Sequence, residues 1–351
     1  MAPNVSCFLN LVRFFSALLV VVAHFGTTGY SDWFLLSHRV GHFSVIVFFV
    51  LSGYVISYTT VARRRSGTDY VIARLSRIYS VLVPALLLTA VLLLVGRSLD
   101  PAYYHRFDRG HEAVRFGLSL LNLQESWWLS AAPPTNQPLW SLAYEFWFYT
   151  AFGVFLFVRP RFWRWALLVA CGVVVGPKIF LLLPVWLVGV ACHRVGDRYR
   201  CSPAMARAGL AVVVTILILH LWRGIDVPLL VGTPPFFFSN GFVTDLGAGA
   251  LVALVILLVR DAMPPVSPQG ALSRFARAGA DASFSLYVLH HPLLVFLAAT
   301  VDYDHHGWLP AVAGLGASLA LAFAFSAATE KRRHLLTEQL ERLFATLRPA
   351  R

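Results

Sequence analysis

Four side chains suited to a reaction centre sit inside stretches that read as membrane spans: Arg13, His24, Glu145 and His290. An imidazole is the group best placed to take and return a proton near neutral pH. A guanidinium holds phosphate bidentately, and a carboxylate can orient a base and fix its tautomer. Arg13 and His24 stand eleven positions apart, about three turns plus roughly 20° of a helix and about 16 Å of rise, so they share a face at different depths. Ionisable residues within a span are costly and mark function by default. These types permit proton transfer beside a cation within the membrane. Read by itself, His290 either joins that chemistry or hydrogen-bonds a neighbouring helix.

The elements that must hold these groups are membrane helices. Of 351 residues 58% are hydrophobic and 13% charged, and the mean hydropathy is +0.68. That composition is one of a polytopic membrane protein and leaves no room for a separate soluble domain. The net charge of +12 comes from basic residues scattered between apolar runs, which speaks for membrane topology and against nucleic acid. Ten spans are expected, over 8–26, 40–60, 78–96, 138–158, 164–177, 178–194, 207–222, 242–259, 283–301 and 308–329, the fifth and sixth parted by the tight turn Gly176-Pro177-Lys178. Of the 29 basic residues, most fall in alternate connections, among them Arg63, Arg64 and Arg65. This predicts an all-α bundle of about ten transmembrane helices with both termini cytoplasmic, in the inner (plasma) membrane.

The first span is read as retained rather than as a signal peptide, since Arg13 interrupts it and no cleavage pattern follows. The membrane domain is expected over 1–332 and a cytoplasmic basic amphipathic tail, lying on lipid, over 333–351. Four cysteines without C-x-x-C spacing suggest neither disulfide framework nor metal. The connection 97–137 is expected outside, with Trp127 and Trp128 either anchoring an interface or stacking on a sugar. His105, His111 and Glu112 are its only metal-like set, and no metal is expected. The second external piece, 223–241, with Pro234-Pro235-Phe236-Phe237-Phe238, reads as an apolar interfacial hairpin or as part of an acceptor mouth.

Five stretches stand out in order. Arg13 and His24 come first, then Phe48 to Tyr54 around Ser52-Gly53, then Arg74-Leu75-Ser76-Arg77-Ile78, then Trp140-Ser141-Leu142-Ala143-Tyr144-Glu145, then Ser283 to His290 with Tyr287. Taken alone, Ser52-Gly53 marks a close helix crossing and Arg74 with Arg77 a cytoplasmic boundary. Together, and with Glu330-Lys331 near the end, they resemble the acyltransferase 3 family of integral membrane enzymes from about residue 8 to 332. Where many members carry a second glutamate after Glu145, this chain has Phe146.

The resemblance implies transfer of an acyl group, commonly acetyl from acetyl-CoA, to a hydroxyl of a glycan, a lipid-linked saccharide or a glycosylated small molecule. Arg74, Arg77 and Arg13 would receive acyl-CoA, His24 would act as general base, Glu145 would orient it, and His290 would hold the thioester or relay the proton. Ser52, Gly53, Trp140, Ser141 and Tyr287 would be structural or line the acceptor site. Direct transfer is preferred to an acyl-enzyme on Ser52. The competing reading is a transporter or flippase for lipid-linked sugars, against which the absence of an internal repeat and the cationic mouth both weigh. No oligomeric state is read from the chain.

Overall fold

The computed structural model describes residues 1–33, 38–62, 66–196, 198–224 and 236–346. The basic run Arg63-Arg64-Arg65, Pro234, Pro235 and residues 347–351 of the expected tail lie outside the described residues. Fifteen α-helices make up the described chain, which contains no strand. In order they are α1 Pro3–Ala23, α2 Phe25–Thr28, α3 His38–Ala62, α4 Gly67–Leu99, α5 Pro101–His105, α6 Glu112–Leu120, α7 Trp140–Phe157 and α8 Arg161–Val175. There follow α9 Pro177–Leu181, α10 Leu183–Gly196, α11 Pro203–Arg223, α12 Phe242–Ala262, α13 Ala271–Thr300, α14 Trp308–Ala328 and α15 Arg333–Thr346. Among the described residues eight helices are long and apolar enough to cross a membrane. The other two expected spans are α7, of 18 residues, and α8, of 15. The protein is a polytopic helical membrane protein.

Two compact units divide the chain, one of residues 1–23, 36–63 and 178–283, the other of 24–35, 64–177 and 284–351. In the first, α3 lies along α10 and α12 lies along both. The contact of α3 with α10 is set by reciprocal glycines. A Cβ on Gly53 would run into the carbonyl oxygen of Trp186, and one on Gly189 into that of Val50. Small residues let helix backbones approach this closely, which is how helices associate where no water drives them together. The Trp186 indole donates to Ser52 Oγ at 3.2 Å, so Ser52-Gly53 is built into that crossing. Arg13 is half-buried on α1 in this unit.

In the second unit α4 is the spine, packing on α5, α6, α7 and α15. It begins at Gly67 rather than near 78 because Ser66 and Asp69 form a reciprocal capping box. Arg74 and Arg77 therefore lie within α4. The connection 97–137 is ordered. Tyr104 fills the space left by Gly96, where a Cβ would overlap its phenol, and packs with Leu93, Phe107 and Val295. Burial pushes its hydroxyl up to about 12, so it stays a neutral donor, here to the Leu92 carbonyl at 3.2 Å. Glu112 forms an ion pair with Arg97 at 2.5 Å, and the Trp127 indole donates to Val173 O at 3.0 Å. The helix expected of the tail is α15, which runs against α4.

Candidate active site

The first helix breaks at His24. His24 is not part of a continuous helix, as a span 8–26 would have it, but caps α2, and its carbonyl takes the Thr28 hydroxyl at 2.7 Å. The short α2 ends on Gly29 at φ +69°, a conformation glycine adopts without strain. Tyrosines clamp the segment that follows. The Tyr103 hydroxyl donates to Thr28 O, Tyr303 donates to Tyr30 O at 2.7 Å, and Tyr30 donates to Pro310 O at 2.7 Å. His24 is thus held by backbone on both sides and stays half-buried.

Facing it are His290 and His291 on α13, 1% and 4% exposed. Their ring centroids lie 5.0 and 5.3 Å from that of His24. The hydrogen bonds settle which nitrogens carry protons in the neutral state. His290 Nδ1 lies 2.8 Å from Tyr287 O and 3.2 Å from Leu286 O; a carbonyl only accepts, so Nδ1 is protonated. The bare Nε2 of His290 faces His24 Nδ1 at 3.3 Å, and that nitrogen must donate. The basic nitrogen of His24 is then Nε2. His291 Nδ1 likewise donates to Thr135 O at 2.8 Å.

The position of these rings on α13 follows from Pro292. Proline has no N–H, so the carbonyl four residues back, that of Val288, loses its helical donor. Asn136 supplies the replacement, its amide donating to Val288 O at 2.9 Å and to Thr89 Oγ1 at 3.0 Å. One residue earlier the Tyr287 hydroxyl donates to Pro138 O at 2.7 Å, which leaves Ser141 to donate to the tyrosine oxygen, also 2.7 Å away. At the other end of this stretch Glu330 accepts from the Ser285 amide at 3.1 Å and hydroxyl at 2.5 Å. Tyr287 and Ser141 thereby fasten α13 to the start of α7, and Trp140 packs edge-on to Tyr144 beside them.

Glu145, half-buried on α7, takes the hydroxyl of Tyr149. The Arg74 guanidinium stands 5.7 Å from the Tyr70 ring and 5.6 Å from the Tyr149 ring, and Arg77 lies within electrostatic reach of Tyr149. The arginine stretch and the glutamate stretch therefore form one cationic and acidic cluster. Phe146, where a second glutamate was a possibility, packs edge-on to Tyr79 with ring centroids 6.5 Å apart. His290 stands at His24 Nδ1, and Glu145 accepts from Tyr149.

The structure gathers His24, His290, Tyr287, Ser141, Trp140, Glu145, Arg74 and Arg77 in one unit, while Arg13, Ser52 and Gly53 belong to the other. Reading the residues alone missed His291, Thr135 and Asn136. Two adjacent histidines before a proline were a usable signal for the first, and the carbonyl orphaned by Pro292 demanded a donor such as the third.

A bundle of membrane helices with paired imidazoles at a helix break, backed by an arginine, tyrosine and glutamate cluster, has the build of an integral membrane enzyme. The family model described as an acyltransferase domain, that of the acyltransferase 3 family, matches residues 8–327, and the chain belongs to this family. It is also similar to an O-acetyl transferase of Shigella phage Sf6, at 32% identity over 162 residues, 42% of this chain and 45% of that protein. The chain thus matches less than half the length of that curated relative. No solved structure matches.

Proposed function

We propose that the protein is an O-acyltransferase of the inner (plasma) membrane that moves an acyl group, acetyl, from acyl-CoA to a hydroxyl of a glycan or glycoside. The observation that carries this reading is the hydrogen-bond order through Tyr287 O, His290 and His24, which supports His24 Nε2 as the base. Family membership and the phage relative support it.

In the proposed reaction His24 Nε2 accepts the proton of the acceptor hydroxyl as that oxygen attacks the thioester carbonyl. The carbon–sulfur bond breaks, the new carbon–oxygen bond remains, and the thiolate leaves with the proton returned by the imidazolium, giving ester and free CoA thiol. As His24 becomes cationic its Nδ1–H bond to His290 becomes charge-assisted and strengthens. That partner stabilises the charge as it forms, which an equally strong ground-state contact would not do. Arg74 and Arg77 are proposed to hold donor phosphates, since arginine pairs with them bidentately. Direct transfer leaves Ser52 to its structural contact with Trp186.

The test compares surface glycans and secreted glycosides from cells with and without the gene, by mass spectrometry and NMR. One ester is expected to disappear and to return with the wild-type gene but not with His24→Ala. Unchanged esters in both pools would overturn the reading.

A further inference from the structure

Within the first unit lies a cavity of about 380 Å³, bordered by the start of α3, the end of α11 and the start of α12. It is near the low end of the roughly 300–1,000 Å³ typical of small-molecule sites. At its wall His42 Nε2 donates to both oxygens of Asp245, at 3.0 and 3.1 Å. Asp245 is 6% exposed and sits in the first turn of α12, where the helix dipole favours a negative charge. Around this pair stand Arg39, Asn240, Phe237 and Phe238. The backbone makes room for the arginine: a Cβ on Gly224, itself at φ +63°, would overlap the Arg39 guanidinium.

This lining selects a ligand chemistry. The buried Asp245 carboxylate gains nothing from an acyl chain and accepts strongly from hydroxyls. Asn240 and Arg39 offer donors that match hydroxyl oxygens, and the Phe238 ring offers a flat apolar face, while Lys178 Nζ stands 4.9 Å from the centre of the Phe237 ring. A molecule with an edge of hydroxyls and a face of C–H groups meets all three requirements, and that molecule is a sugar ring. We infer that this cavity is a saccharide subsite that takes one neutral pyranose unit of the acceptor. The inference rests on the reading of the acceptor as a glycan. It also gives the stretch after Phe236 a role in binding, where the sequence left it between an interfacial hairpin and an acceptor mouth.

The experiment is saturation-transfer NMR on the purified protein in nanodiscs, without acyl-CoA, using the methyl glycosides of glucose, galactose, rhamnose and N-acetylglucosamine as probes. Saturation of the ring protons of at least one glycoside is expected, with binding weakened about tenfold or more in Asp245→Ala. Phe238→Ala and Asn240→Ala, at half-buried and exposed positions, keep the test sound if Asp245→Ala fails to fold, and each is expected to weaken binding severalfold. No saturation with any probe, or equal signals from wild type and variants, overturns the inference. Glycoside binding in a protein that transfers no acetyl would remove the acyltransferase reading and leave the subsite standing. Acetyl transfer with glycoside signals unchanged in the variants would remove the subsite and leave the reading.

Discussion

Two histidines, one in each unit, are held in opposite ways. His24 rests against another imidazole, with neutral partners leading away to a backbone carbonyl. His42 rests against a carboxylate that takes its proton with both oxygens. The first arrangement pairs two imidazoles, which suits a group that must gain and lose a proton in each turnover. The second compensates charge in place, which suits binding. An imidazole within a membrane span is thus not a function by itself, and the partner on its far nitrogen decides what it can do.

The contrast is broken most severely from the His24 side. Replacing its partner, His290→Ala, leaves His24 Nδ1–H without its buried acceptor and is expected to lower turnover roughly 10- to 100-fold with acceptor KM little changed, as steady-state kinetics will show. The reverse split is expected at the other histidine. Asp245→Ala raises acceptor KM about tenfold while kcat holds, since it removes binding made equally in ground and transition states. If both variants lower kcat alone, the distinction between base and binding site fails.

Smaller effects separate the groups that position from those that react. Gly53→Ala drives a methyl into the Trp186 carbonyl and is expected to cost about 1–3 kcal/mol of stability. A lower midpoint in detergent thermal unfolding, with normal specific activity in the protein that remains folded, is the outcome to look for. Glu330→Gln keeps an acceptor for Ser285 but loses its charge, and a change in turnover of no more than about threefold is expected.

Much of this was legible in the chain. Every expected span is helical, the first broken at His24 and the sixth divided between α9 and α10, because runs of about 20 apolar residues with basic boundaries leave a bilayer protein few alternatives. The family resemblance, carried by short stretches such as Arg74-Leu75-Ser76-Arg77-Ile78 and Trp140 to Glu145, agrees with the family match over 8–327. Three features were not legible. The early start of α4 depends on a capping box at Ser66 and Asp69, which lies outside the hydrophobic run expected from 78. That His290 and His291 stand beside His24 was not readable until the helices were placed, because depth along a span does not say which helices adjoin. The pairing of His42 with Asp245 joins residues 203 positions apart, and neither carries a local pattern.

The central claim is that His24 is the base, and it is tested most directly by chemical rescue. Purified wild-type protein and His24→Ala would be given radiolabelled acetyl-CoA and glycan prepared from cells lacking the gene, with and without added imidazole. The variant is expected to lose about 10²- to 10⁴-fold in transfer rate, to fold as the wild type does, and to recover part of that rate as imidazole is added. Transfer by His24→Ala at the wild-type rate would contradict the account.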